Sequence, residues 1–201
     1  MIHLALFDYG AGNLHSLRKG LERGGARVTV TSDWREALDR DGLVLPGVGS
    51  FGSAVRGLGG ERERVREALD AGLPCLGICL GMQLLFPESE EAPGAGIGLL
   101  SGKVRRLRAR TIPQMGWNDV EGGSDPALRG IGTFPAYYAN SFVCEVDEAD
   151  AGSVIARSSY EGETFAAAVR NGRTWGFQFH PEKSSAAGLR VLANFVREVG
   201  G

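Results

Sequence analysis

An α/β fold, with a mostly parallel central sheet flanked by helices and an antiparallel extension, is the fold class this sequence predicts. Three observations predict it. Short apolar runs alternate with helical patterns through the first half of the chain, the order that gives parallel strands with helices on both faces. The apolar run over residues 73–78 ends in Gly77-Ile78-Cys79-Leu80-Gly81, a strand-to-helix turn with glycines on both sides. After Pro93-Gly94-Ala95-Gly96 the helical pattern gives way to β-like pieces, which predicts the antiparallel part.

Taken in order, residues 2–7 read as the first strand. Leu14, Leu17 and Leu21 then share one helix face, with Asn13 as the expected N-cap and Gly24-Gly25 as the stop. Val28-Thr29-Val30 and Leu43-Val44-Leu45 are further strands, and residues 61–71 a helix whose charges form a solvated face. Residues 73–78 read as a short buried strand, after which Leu80, Leu84 and Leu85 recur at helical spacing. The β-like pieces lie around residues 98–107, 142–146, 154–156 and 164–169. A strand from Trp175 runs toward His180, and a helix over residues 184–199 closes the fold. No repeat and no long linker divides the chain, so residues 1–201 read as a single domain.

With 43% hydrophobic residues, a chain of 201 residues can fill a core. A net charge of −2 argues against general nucleic-acid affinity. No apolar stretch reaches the length of a membrane span, and the start Met1-Ile2-His3-Leu4 lacks the charge of a signal peptide, so the expected location is the cytoplasm and no membrane is expected as a partner. Three cysteines cannot all pair; Cys75 and Cys144 lie in apolar segments and read as reduced core thiols. The basic run from Lys103 through Arg105, Arg106 and Arg108 to Arg110 is interrupted by Val104 and Leu107 and reads as a solvated edge strand rather than an RNA-binding strip. Gly10-Ala11-Gly12 lacks the third glycine of a dinucleotide-binding turn. His3 and His15 read as structural or exposed.

The chemistry points to Cys79. A cysteine on a strained elbow needs small neighbours, because strand and helix approach closely there, and the start of a helix favours the anionic form in which a thiol attacks. The Leu80 N–H is then aimed at the oxyanion formed on attack. Far along the chain, His180-Pro181-Glu182 places an imidazole and a carboxylate two residues apart, on one face if the segment is extended. Cysteine as nucleophile, histidine as base and glutamate as orienter make a triad. The glycines of Gly47-Val48-Gly49 allow a peptide to turn toward the site as a second oxyanion donor. Lys183, one of three lysines in an arginine-rich chain, directly follows the triad glutamate.

Together, Phe7-Asp8-Tyr9-Gly10-Ala11-Gly12-Asn13, Leu45-Pro46-Gly47-Val48-Gly49, the elbow, Met115-Gly116-Trp117-Asn118 and Gln178-Phe179-His180-Pro181-Glu182-Lys183-Ser184 resemble the class I, or triad, glutamine amidotransferases over nearly the whole chain. Within them the chain is most similar to glutaminase subunits that serve histidine biosynthesis. The resemblance implies a flavodoxin-like sheet, hydrolysis of L-glutamine through a Cys79 thioester, no cofactor and no metal. It implies that Gln83 and Glu91 grip glutamine, that Ser141 and Phe142 offer backbone contacts, and that a cyclase of (β/α)₈ fold docks at Asn13, Ser16, Trp117, Asn118, Tyr138 and Lys183 to form a heterodimer. Two positions depart from the family, which usually has histidine where this chain has Gln114 and Asn140; both are expected to give mainly backbone or peripheral contacts. The competing readings are a glutaminase of the pyridoxal phosphate synthase type, another cysteine hydrolase such as a peptidase-like protein, and a scaffold that has lost its chemistry.

Overall fold

The computed structural model describes residues 1–10 and 12–201; Ala11 lies outside the described residues. The first half runs β1 His3–Phe7, α1 His15–Arg23, β2 Arg27–Thr31, α2 Trp34–Leu38, β3 Gly42–Leu45, α3 Phe51–Leu58, α4 Arg62–Asp70, β4 Cys75–Ile78 and α5 Leu80–Gln83. The second half runs β5 Glu88–Ser89, β6 Gly102–Arg106, β7 Gln114–Gly122, β8 Phe134–Asn140, β9 Phe142–Val146, β10 Val154–Tyr160, β11 Glu163–Asn171, β12 Thr174–Phe177 and α6 Ser185–Val199.

Among the described residues nine strands form one sheet, in the order β2-β1-β3-β4-β12-β11-β10-β7-β8. From β2 to β12 neighbouring strands are parallel, and from β12 to β8 they are antiparallel. This is the predicted class, with the strand order turning back between β1 and β3. Sites in such sheets form beyond the carboxyl ends of the strands near that point.

The parallel strands are buried on both faces, which is why they read as unbroken apolar runs. Leu4 and Leu6 of β1 pack with Leu17 and Leu21 of α1 and Leu192 and Phe195 of α6. Ala5 and Phe7, alternating to the other face, pack with Trp34, Phe51, Leu58 and Val65. Each such leucine or phenylalanine side chain contributes about 1.5–3 kcal/mol through burial. Cys75 is fully buried in the second cluster, and burial pushes its thiol far above the ordinary range.

Three expectations are corrected. Strands β6 and β9 do not extend the main sheet; with β5 they make a separate three-stranded sheet. The basic run is therefore the middle strand of that sheet rather than an edge, and its charges meet carboxylates: Lys103 to Glu90 at 3.3 Å, and Arg105 to Glu145 at 2.6 Å and Glu163 at 2.5 Å. The N-cap of α1 is Leu14, while Asn13 stands one residue earlier and accepts the His15 N–H at 2.9 Å. Among the described residues no helix is long and apolar enough to cross a membrane.

Candidate active site

Cys79 sits between β4 and α5 with φ 48° and ψ −102°, a left-handed conformation that costs a non-glycine residue about 1–3 kcal/mol. Its N–H donates to Phe177 O of β12 at 2.6 Å and its carbonyl accepts from Gln83 N at 3.0 Å, so both neighbours hold it there. The flanking glycines are required by contact: a Cβ on Gly77 would lie 2.5 Å from Gly81 O, and one on Gly81 would strike Leu45 O. The helix that follows is a single turn, so its dipole is smaller than a long helix would supply. Its first N–H groups, that of Leu80 included, have no partner within the helix.

His180 lies close to Cys79, in the segment that follows β12 and just before a 3₁₀ turn. Its Nδ1 is 2.8 Å from Glu182 Oε1, and the pair is nearly buried. The strand does not carry this pair, contrary to the alternation expected: β12 stops at Phe177, and Glu182 lies in a 3₁₀ turn, Pro181–Lys183, that folds back on the ring. Burial pushes the imidazole down, but hydrogen bonds to Cys79 and Glu182, and then their charges, outweigh it and raise His180 to about 10. The charged form of the imidazole is thus favoured beside the sulfur. A Cβ on Gly47 would come within 2.9 Å of both Cys79 Cβ and His180 Cε1, so the Gly47-Val48-Gly49 loop lies directly against nucleophile and base. Gly49 adopts φ 98°.

A cleft of about 170 Å³ opens beside the sulfur, lined by Gly47, Gly49, Leu80, Gln83, Glu91 and the edge from Ala139 to Phe142. Gln83 Nε2 donates to Phe142 O at 3.3 Å, and Asn140 Nδ2 to the same oxygen at 3.0 Å, which fixes the Ser141–Phe142 edge. Glu91 is exposed, with Oε2 accepting the Phe51 N–H at 3.1 Å. The two family departures face each other: Gln114 on β7 is in register with Asn140 on β8, and both are buried. Sequence spacing alone gave no sign of that pairing. Another residue that the sequence reading gave no role is Gln178, fully buried, whose Nε2 donates to Cys79 Sγ at 3.5 Å. A polar residue between Phe177 and Phe179 was its only signal.

Of the residues expected at a docking surface, Asn13, Ser16, Trp117 and Lys183 are exposed. Trp117 is 55% exposed and Met115 beside it 63%, a large apolar area for a strand face. Tyr138 is corrected: it is fully buried, its hydroxyl 2.6 Å from Ser158 Oγ. Alternation along β8 puts Tyr137 on the outer face instead, where its ring meets Trp117 edge-on at 6.2 Å and lies under Lys183 Nζ at 5.5 Å. Asn118 alternates away from Trp117 and donates to Ser159 O at 3.0 Å, so it is also removed from that face.

Residues 5–199 match the family described as glutamine amidotransferase class-I. Proteins named imidazole glycerol phosphate synthase subunit HisH are similar over nearly their full length. The one from Thermus thermophilus is 47% identical, covering 94% of this chain and 93% of the relative. That from Halobacterium salinarum is 44% identical, covering 96% and 92%, and that from Corynebacterium glutamicum 40%, covering 98% of each. Among solved structures, a glutamine amidotransferase superposes with a TM-score of 0.77 at 21% identity over 100% of both chains. PurLQS from Thermotoga maritima gives 0.76 at 19% identity, covering 98% of this chain and 99% of that one.

Proposed function

The chain belongs to the class-I glutamine amidotransferase family, and from that premise we propose that it is the glutaminase subunit of an imidazole glycerol phosphate synthase. It hydrolyses L-glutamine and hands the ammonia to a cyclase partner in histidine biosynthesis. One observation carries the reading: a cysteine held at φ 48° faces a histidine whose other ring nitrogen is 2.8 Å from a carboxylate, on the wall of a cleft suited to a single amino acid.

In this reading the Cys79 thiolate attacks the side-chain amide carbon of glutamine. The oxyanion is received by the Leu80 N–H and by an N–H of Gly47-Val48-Gly49; one such donor is typically worth about 100- to 1000-fold in rate. The tetrahedral adduct collapses as the C–N bond breaks, and protonated His180 gives its proton to the leaving ammonia. A water then attacks the thioester, His180 takes the water proton, and the thiolate departs with glutamate released. Glu182 holds the ring and stabilises its charged form throughout. Gln83, Glu91, Ser141 and Phe142 hold the glutamine.

The partner in this proposal is a cyclase of (β/α)₈ fold, bound as a heterodimer against Trp117, Tyr137, Lys183, Asn13 and Ser16, and both subunits work in the cytoplasm. Ammonia set free in neutral water is largely protonated and no longer nucleophilic, which favours direct transfer. Residues 1–201 act as one glutaminase domain. The test is trapping with an electrophilic glutamine analogue, read by mass. Label on Cys79, blocked by glutamine, is expected; label on Cys75 or Cys144 contradicts the assignment.

A further inference from the structure

Gln178 has a side chain that packing does not explain. It is fully buried between Phe177 and Phe179, themselves fully buried. Leucine or methionine would fill such a place without taking an amide out of water. Its main-chain N–H is committed to Ala167 O at 2.9 Å, which anchors the residue to β11. The one hydrogen bond of its side chain among the described residues goes to Cys79 Sγ, and Oε1 is buried with no partner. Turning the amide over would point Oε1 at the sulfur and repel a thiolate, so only one orientation suits the charged nucleophile.

We propose that Gln178 is a catalytic residue: its amide N–H donates to the Cys79 sulfur from the buried side and holds it as a thiolate aimed at the cleft. The neighbouring His180 ring, whose charged form the sulfur favours, supports the same ionised state. Hydrogen bonds to an ionised partner are about twice as strong as neutral ones. The amide therefore favours the thiolate over the thiol, both before attack and when the thiolate is expelled from the thioester. Because a glutamine amide does not titrate, it serves this purpose at any pH at which the enzyme works. The inference rests on the glutaminase reading, in which Cys79 is the nucleophile.

The experiment follows the rate of Cys79 alkylation by iodoacetamide across pH, read by mass on the Cys79 peptide, for the unaltered chain and for Gln178→Met. Methionine keeps the length and bulk and removes the donor. Near neutral pH the variant is expected to react about 10- to 100-fold more slowly, with the midpoint of its profile moved to higher pH and the KM for glutamine held within about twofold. An unchanged rate and midpoint would overturn the proposal. Should the variant fail to fold, the side-chain amide resonances of Gln178 in the unaltered chain are compared with those in Cys79→Ala. A clear shift supports the hydrogen bond and coincident resonances overturn it. Absence of alkylation at Cys79 in the unaltered chain would instead count against the glutaminase reading itself.

Discussion

His180 donates its main-chain N–H to Tyr137 O at 2.8 Å, joining the base of the site to β8, the strand paired with the one that carries exposed Trp117. Ser184 Oγ completes the clamp, accepting the Tyr137 N–H at 2.9 Å and donating to His180 O at 2.6 Å. Tyr137 also touches Trp117 and Lys183 through its ring. A partner pressing on that face therefore acts on the main chain that fixes His180.

Trp117→Ala is expected to weaken cyclase binding by about 10- to 100-fold, since large exposed aromatics at an interface typically contribute about 2 kcal/mol or more. Titration calorimetry measures it. The alkylation rate of Cys79 in the isolated chain should stay unchanged, because the tryptophan does not touch the triad. Binding as tight as that of the unaltered chain would place the interface elsewhere.

Gly47→Ala is expected to cut glutaminase activity at least about 100-fold, the typical value of an oxyanion donor. The added methyl group meets Cys79 Cβ and His180 Cε1 at 2.9 Å and pushes the loop away. Because the methyl group also meets the Ile78 carbonyl at 2.9 Å, the melting temperature should fall as well. Retained activity would show that this loop does not serve the oxyanion.

The parallel half of the fold was legible because Leu4, Ala5 and Leu6 are all buried, leaving no polar residue to interrupt the run. The elbow was legible because Gly77 is forced by a contact four residues away, with Gly81 O, and both glycines bracket the cysteine in sequence, although the contact that forces Gly81 comes from Leu45 on β3. Strands β7 and β8 were not foreseen, since β7 inverts the usual pattern: Gln114 faces inward while Met115 and Trp117 face out. Two adjacent tyrosines cannot be assigned to faces without the register of β8, and this is where Tyr138 was misplaced. The opposition of Gln114 and Asn140 and the approach of Gln178 to Cys79 depend on pairing between distant segments, which spacing does not encode.

The raised His180 carries a pH signature. Its folded value, about 10, exceeds the ordinary 6.5, so its contribution to stability is complete below about 6.5 and is lost as pH rises through about 10. Glu182→Gln weakens the charged ring and should narrow that window from the alkaline side. Urea unfolding between neutral and alkaline pH measures it, with a loss of at least about 1 kcal/mol near neutral pH expected for the variant. Parallel pH profiles for the two proteins would contradict the ion-pair account.

Cys79→Ala is expected to abolish glutamate release, while Cys75→Ala and Cys144→Ala retain it. Both buried thiols lie far above their ordinary range through desolvation. Their loss should appear in thermal unfolding, at about 1–2 kcal/mol each. A dead Cys144→Ala with unchanged stability would give that thiol a part in the chemistry.

The central claim is a glutaminase whose chemistry is coupled to its partner, and steady-state glutamate release tests it most directly in three arms: the chain alone, with the cyclase, and with the cyclase carrying its ligand. The Gly47-Val48-Gly49 loop lies against Cys79 and His180, so a partner that realigns it would change the rate. The isolated chain should turn over slowly, and the loaded cyclase should raise the rate by at least about 100-fold, equivalent to roughly 2.7 kcal/mol of barrier. Equal rates in all three arms would contradict the coupling and leave an independent cysteine hydrolase.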